Sequence, residues 1–75
     1  KRLCVAHEAK ILLIAYDYRL EVWHWSPKVT LTHVAMIKSY KNEYIRCSSI
    51  SPNGSWIVYS TDNVLRLLRF SSVSI

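Results

Sequence analysis

The second half of this chain is a version of its first, and that constrains the fold more than any other feature. Asp17 and Asp62 lie 45 residues apart (62 − 17 = 45). At that offset Leu12-Leu13-Ile14-Ala15-Tyr16-Asp17 lies over Ile57-Val58-Tyr59-Ser60-Thr61-Asp62. Arg19-Leu20-Glu21-Val22-Trp23-His24-Trp25 likewise lies over Val64-Leu65-Arg66-Leu67-Leu68-Arg69-Phe70. Cys4 and Cys47 differ by 43 (47 − 4), which predicts a first turn, at Ala6 to Ala9, two residues shorter than its counterpart. A unit repeated at this spacing cannot bury its apolar faces alone and stacks on copies of itself.

Within each unit the apolar pattern has a period of two or is continuous, which points to strands. Arg2 to Ala6 reads as a short extended run. Lys10 to Tyr16 is apolar at nearly every position, the pattern of a strand buried on both faces. Arg19 to Trp25 alternates, with Leu20, Val22 and His24 on one face and Arg19, Glu21, Trp23 and Trp25 on the other. Val29 to Tyr40, Tyr44 to Ile50, Trp56 to Ser60 and Val64 to Phe70 complete seven predicted strands. His33 to Lys38 has an ambiguous period, but it is short, uncapped and flanked by β-branched residues, so it too reads as strand.

Turn chemistry sets the connections. Ser51-Pro52-Asn53-Gly54 places Pro where its fixed φ suits a type I turn, with Asn and Gly to close the hairpin. Asp17-Tyr18 and Asp62-Asn63 occupy matching tight reversals, and both Asp side chains are expected to cap their turns. Lys41-Asn42-Glu43 reads as a polar loop, and Ser26-Pro27-Lys28 as a break. Short connections between consecutive strands make an antiparallel meander. Four short strands repeating near every 45 residues is the spacing of a β-propeller blade. The expected fold class is therefore all-β, about two four-stranded antiparallel blades of one larger propeller. Residues 1–28 would supply three strands of one blade, and 29–75 its outer strand plus the following blade.

Size and composition agree. Seventy-five residues are marginal for an independent domain, yet the chain is 51% hydrophobic with only one Gly and two Pro. That excludes a disordered tail or a cysteine-rich scaffold. No run of 18 apolar residues suggests a membrane-crossing helix, and no signal-peptide core is visible. A start at Lys1 without Met fits a segment of a longer protein.

Chemistry is sparse. His7, His24, His33, Cys4 and Cys47 show neither C-x-x-C nor H-x3-H spacing, so no metal site is expected. The two cysteines are read as reduced and small, on adjacent sheets too far apart for a bridge. No nucleophile, base and orienting group stand together in the sequence pattern, and no glycine-rich phosphate loop is present; an enzyme, a cofactor and a small-molecule substrate are not expected. The net charge of +5 favours an acidic partner, although the basic residues form no run. Nine aromatics interleave with Arg and Lys, as on an RNA-stacking surface. Trp23 and Trp56 are assigned to packing between blades. Tyr40 and Tyr44, with Lys41 and Arg46, are the candidates for partner or RNA contact. Asp17, Trp23, Pro52, Gly54, Trp56 and Asp62 are the structural repeat positions.

Ile45 to Asp62 (IRCSSISPNGSWIVYSTD) resembles the inner strand, turn and second strand of a WD repeat. The third strands end in Trp23-His24 and Leu68-Arg69 where strong repeats have Trp-Asp, and the preceding Gly-His is absent. The buried His–Ser/Thr–Asp–Trp network of strong repeats is therefore incomplete. Beyond this pattern the chain resembles the cirhin family, the fourth of the U-three proteins of the small-subunit processome. The likeness is best over Ala9 to Trp25 and over Ile45 to Phe70. In the latter, Cys47, Ser48, Ile50-Ser51-Pro52, Gly54-Ser55-Trp56-Ile57 and Tyr59-Ser60-Thr61 are similar to the family's own run. The family carries a variable polar insertion between the two stretches, which fits a break after Trp25. The resemblance implies a nucleolar, non-catalytic scaffold supporting pre-rRNA processing and early small-subunit assembly. Its implied partners are other WD-repeat subunits of the processome and pre-rRNA, met directly or indirectly, with no membrane. The alternative is a WD-repeat adaptor elsewhere, such as a ubiquitin-ligase substrate receptor or trafficking scaffold.

Overall fold

Apolar alternation sets which face of each strand turns inward. In a computed structural model describing residues 1–28 and 30–71, strand β2 (Ile11–Ala15) buries Ile11, Leu13 and Ala15 and leaves Leu12 and Ile14 half-buried. It lies between β1 (Arg2–Ala6) and β3 (Arg19–Trp25), and β4 (Leu31–Lys38) adds to the far edge of β3. These four strands form one antiparallel meander. β5 (Cys47–Ile50), β6 (Trp56–Ser60) and β7 (Leu65–Arg69) form a second, three-stranded one. The only helical turn among the described residues is a 3-10 turn at Tyr40–Asn42, in the link between the sheets. The protein is all-β, built as two consecutive antiparallel sheets.

All seven strand regions read from the sequence carry strands, with shifted edges. Lys10 lies outside β2, in the turn, with φ of 56°. Residues 39–46 form the inter-sheet link, so Tyr44 to Arg46 are not strand. His33 to Lys38 lies within β4. Val29, expected to open that strand, and residues 72–75 lie outside the described residues. A bulge at Val22/Trp23 shifts the β3–β4 register, so that Trp23 faces His33 while Val22 faces Ala35.

Strand register corrects the alignment of the two repeats. Leu13 pairs with Cys4, and Val58 pairs with Ser49. Both steps equal 45 (58 − 13 and 49 − 4), so Cys4 corresponds to Ser49 and not to Cys47. The turn between β1 and β2 is therefore no shorter than its counterpart. The thiol pair suggested a deletion that the hydrogen-bond ladder does not contain. The cysteines are both free; Cys4 Sγ donates to the Ser48 carbonyl at 3.6 Å, and Cys47 is exposed.

The sheets pack face to face. Ala6, Leu13, Leu20 and Val22 of the first sheet join Ile50, Ile57 and Tyr59 of the second in one core, with Ile45 of the link fully buried. Full burial of a residue such as Leu13 or Ile57 contributes about 1.5–3 kcal/mol. The turn after β5 closes against the other sheet. Gly54 N donates to the Ser51 carbonyl at 2.8 Å, and Gly54 takes φ of +76°. A Cβ there would stand 2.8 Å from Ala9 Cβ and 3.0 Å from Ile11 Cδ1. Glycine is thus required both for its left-handed backbone and for the close approach.

Within this chain the opposite faces of the two sheets are open. β2 is buried on one face only. Trp23 and Trp56 stand outside the core of this chain: Trp23 is half-buried and Trp56 is 42% exposed. Each sits one position out of phase with the buried residues of its strand, Leu20 and Val22 or Ile57 and Tyr59, so the pleat turns it outward. Leu65 and Leu67 are 73% and 63% exposed on that same outer side of the second sheet.

Candidate nucleic-acid interface

In an antiparallel meander, alternate connections fall at the same end of the sheet. The start of β1, the β2–β3 turn, the end of β4, the inter-sheet link and the β6–β7 turn therefore gather at one end. Tyr16, Tyr18, Tyr40 and Tyr44 lie there with most of the chain's arginines. Tyr40, Lys41, Tyr44 and Arg46, singled out from the sequence, lie together in the link. Tyr18, Arg19, Lys38 and Arg66 join them from turns and strand ends. Sequence reading missed those four because they are scattered along the chain; the matching Asp17 and Asp62 turns were the available signal.

Backbone hydrogen bonds clamp the link to both sheets. Ser39 N donates to the Tyr18 carbonyl at 3.1 Å, and Ile45 N to the Asp17 carbonyl at 2.8 Å. Arg2 donates to the Ile45 carbonyl at 3.1 Å. From the second sheet, the Tyr59 hydroxyl accepts from Tyr40 N at 2.9 Å. Glu43 accepts from the Thr61 hydroxyl at 2.6 Å and from the Asn63 side-chain amide at 3.1 Å. Held this way, Lys41 and Asn42 take left-handed φ values of 49° and 56°. Two successive non-glycine residues in that region store strain that the clamps sustain.

Cations lie over the tyrosine rings. The Arg19 guanidinium carbon is 3.9 Å from the Tyr16 centroid. Arg66 and the Lys41 ammonium lie 5.0 and 5.3 Å from that of Tyr40, and Arg46 lies 5.1 Å from that of Tyr44. Tyr44 meets Tyr18 edge-to-face at 6.1 Å. These are ordinary cation–π and aromatic geometries. Tyr18 and Tyr44 remain 50% and 43% exposed. Beside them runs a groove of about 640 Å³ lined by residues including Tyr16, Asp17, Tyr18, Arg19 and Lys38.

Only two of these cations have carboxylate partners among the described residues. Arg46 binds Asp62 through two bonds, 2.9 and 3.1 Å, which hold the Asp62 carboxyl below its ordinary range and raise Arg46. Arg19 pairs with Glu21 at 2.9 Å, and that hydrogen bond leads in lowering the Glu21 carboxyl. Lys38, Lys41 and Arg66 have no such partner.

The expected turn caps are corrected by these contacts. The Asp62 carboxylate serves Arg46, while the Thr61 hydroxyl accepts from Asn63 N and Val64 N at 3.1 Å each. Asp17 contributes its backbone carbonyl to the link. A nearby guanidinium outcompetes neutral amides for a carboxylate, and the hydroxyl one residue earlier takes the amides. Pro52 and Gly54 lie at the opposite end of the sheets, in the β5–β6 turn, while Trp56, at the start of β6, stacks under Arg69 at 5.2 Å. No protein-family model matches this chain, and no curated protein matches it.

Proposed function

We propose that this chain forms part of a WD-repeat β-propeller and that the protein is a non-catalytic scaffold of the small-subunit processome, working in the nucleolus on pre-rRNA processing. The observation that carries this is the run from Ile45 to Phe70, with its Ser-Pro-Asn-Gly turn and the Gly54-Ser55-Trp56-Ile57 and Tyr59-Ser60-Thr61 segments. The constant 45-residue step between two sheets supports the propeller. So do the apolar outer faces around Leu65 and Leu67, which call for a further sheet on that side. The role is assembly. Its partners are other WD-repeat subunits and pre-rRNA, reached directly or through those subunits.

The test is affinity purification of the tagged full-length protein with sequencing of the associated RNA, alongside imaging. Nucleolar signal and enrichment of pre-rRNA are expected. A cytoplasmic protein free of pre-rRNA would overturn the assignment and favour an adaptor of the ligase-receptor or trafficking kind.

A further inference from the structure

We infer that the tyrosine-rich end binds single-stranded RNA directly, bases stacking on Tyr18 and Tyr44 and phosphates meeting Lys38, Lys41 and Arg66. Two half-exposed rings standing edge-to-face at 6.1 Å present planar apolar surface beside these cations. Unpaired bases stack on such rings whatever their identity. Lys38 lines the groove beside Tyr18, and Lys41 and Arg66 lie over Tyr40, none of them neutralised by a carboxylate among the described residues. Phosphates supply the missing charge, with release of counterions.

Asp17 lines the same groove. Its carboxylate repels phosphates and acidic side chains alike, and it can accept from the N3–H of an unpaired uracil. A duplex is excluded because its bases are stacked internally and offer no free faces. The strained Lys41-Asn42 backbone, locked by the clamps to both sheets, holds the Lys41 cation over the Tyr40 ring at this edge.

The choice of RNA over DNA rests on the scaffold assignment; the stacking site does not. The experiment is fluorescence anisotropy of the purified full-length protein with a fluorescein-labelled twelve-residue oligouridylate, over a range of salt concentrations. Tyr18→Ala with Tyr44→Ala should weaken binding at least about fivefold, the lower end of what one stacked base contributes. Tyr18→Phe with Tyr44→Phe keeps the rings and should keep the affinity, which separates stacking from a general loss of fold. Lys38→Gln and Lys41→Gln should each lower the slope of log affinity against log salt by about 0.7. A loss below fivefold in a folded alanine variant, or an unchanged salt slope, overturns the inference. Tighter binding of polyglutamate than of oligouridylate overturns it as well. Such a failure leaves a nucleolar, pre-rRNA-associated scaffold intact, whereas oligouridylate binding by a cytoplasmic protein would overturn the scaffold and keep the site.

Discussion

Gly54→Ala tests how the two sheets are joined. The new methyl group would enter at 2.8 Å from Ala9 Cβ and 3.0 Å from Ile11 Cδ1, both inside ordinary contact distance. The Ile11 methyl can swing aside, but Ala9 Cβ is fixed to the β1–β2 turn, so the turn itself must move. Forced overpacking of this kind costs about 1–3 kcal/mol. Holding alanine at φ +76° adds about 1–2 kcal/mol. Loss of unfolded-chain freedom returns about 0.4–1 kcal/mol. The net expectation is about 3 kcal/mol of destabilisation, read as a lower urea midpoint of the full-length protein at unchanged slope. A double-mutant cycle isolates the clash. In an Ala9→Gly background the 2.8 Å contact is gone, so Gly54→Ala should cost at least about 1 kcal/mol less. A cost below about 1 kcal/mol in the parent, or the same cost in both backgrounds, would refute the close approach as the reason for glycine.

Trp56→Ala in the full-length protein should cost about 3–5 kcal/mol, because a further propeller sheet would cover its outer face; a cost under about 1 kcal/mol would leave that face open and sink the propeller. Ile57→Ala should cost about 2–5 kcal/mol whatever covers that face, since Ile57 is buried within this chain. Thr61→Val should speed amide exchange at Asn63 and Val64 and cost about 1–2 kcal/mol, whereas Asp62→Asn should leave those amides protected. The Arg46 bond holds the Asp62 carboxyl below its ordinary value of 3.8, so its contribution is present above that pH and fades as pH falls through the lowered value. Acidification from about pH 5 to pH 3 should thus lower the melting temperature of the parent more than that of Asp62→Asn, a gap that about 1 M salt should close because the pair is exposed. An equal drop in both proteins would show the pair to be without effect.

Much of the fold is a property of the sequence alone. Period-two patterning marked the strands, because successive side chains on a pleated strand must face opposite ways. Pro52 and Gly54 marked their turn through backbone restriction, which is local and needs no partner. The 45-residue step was likewise visible in matched strings. Tertiary structure decided what depends on partners distant in the chain. Cys4 matched Cys47 by identity, but the ladder pairs it as the equivalent of Ser49, since register is set by hydrogen bonds across strands and not by residue type. Asp62 looked like a turn cap until Arg46, 16 residues earlier, was brought beside it. Trp23 and Trp56 showed their phase in the pattern, yet only packing determines which phase meets the other sheet. The tyrosine–arginine end is the largest such case. Tyr18, Lys38, Tyr44 and Arg66 share no spacing in the sequence, and they meet because antiparallel connections return alternate turns to one end of both sheets.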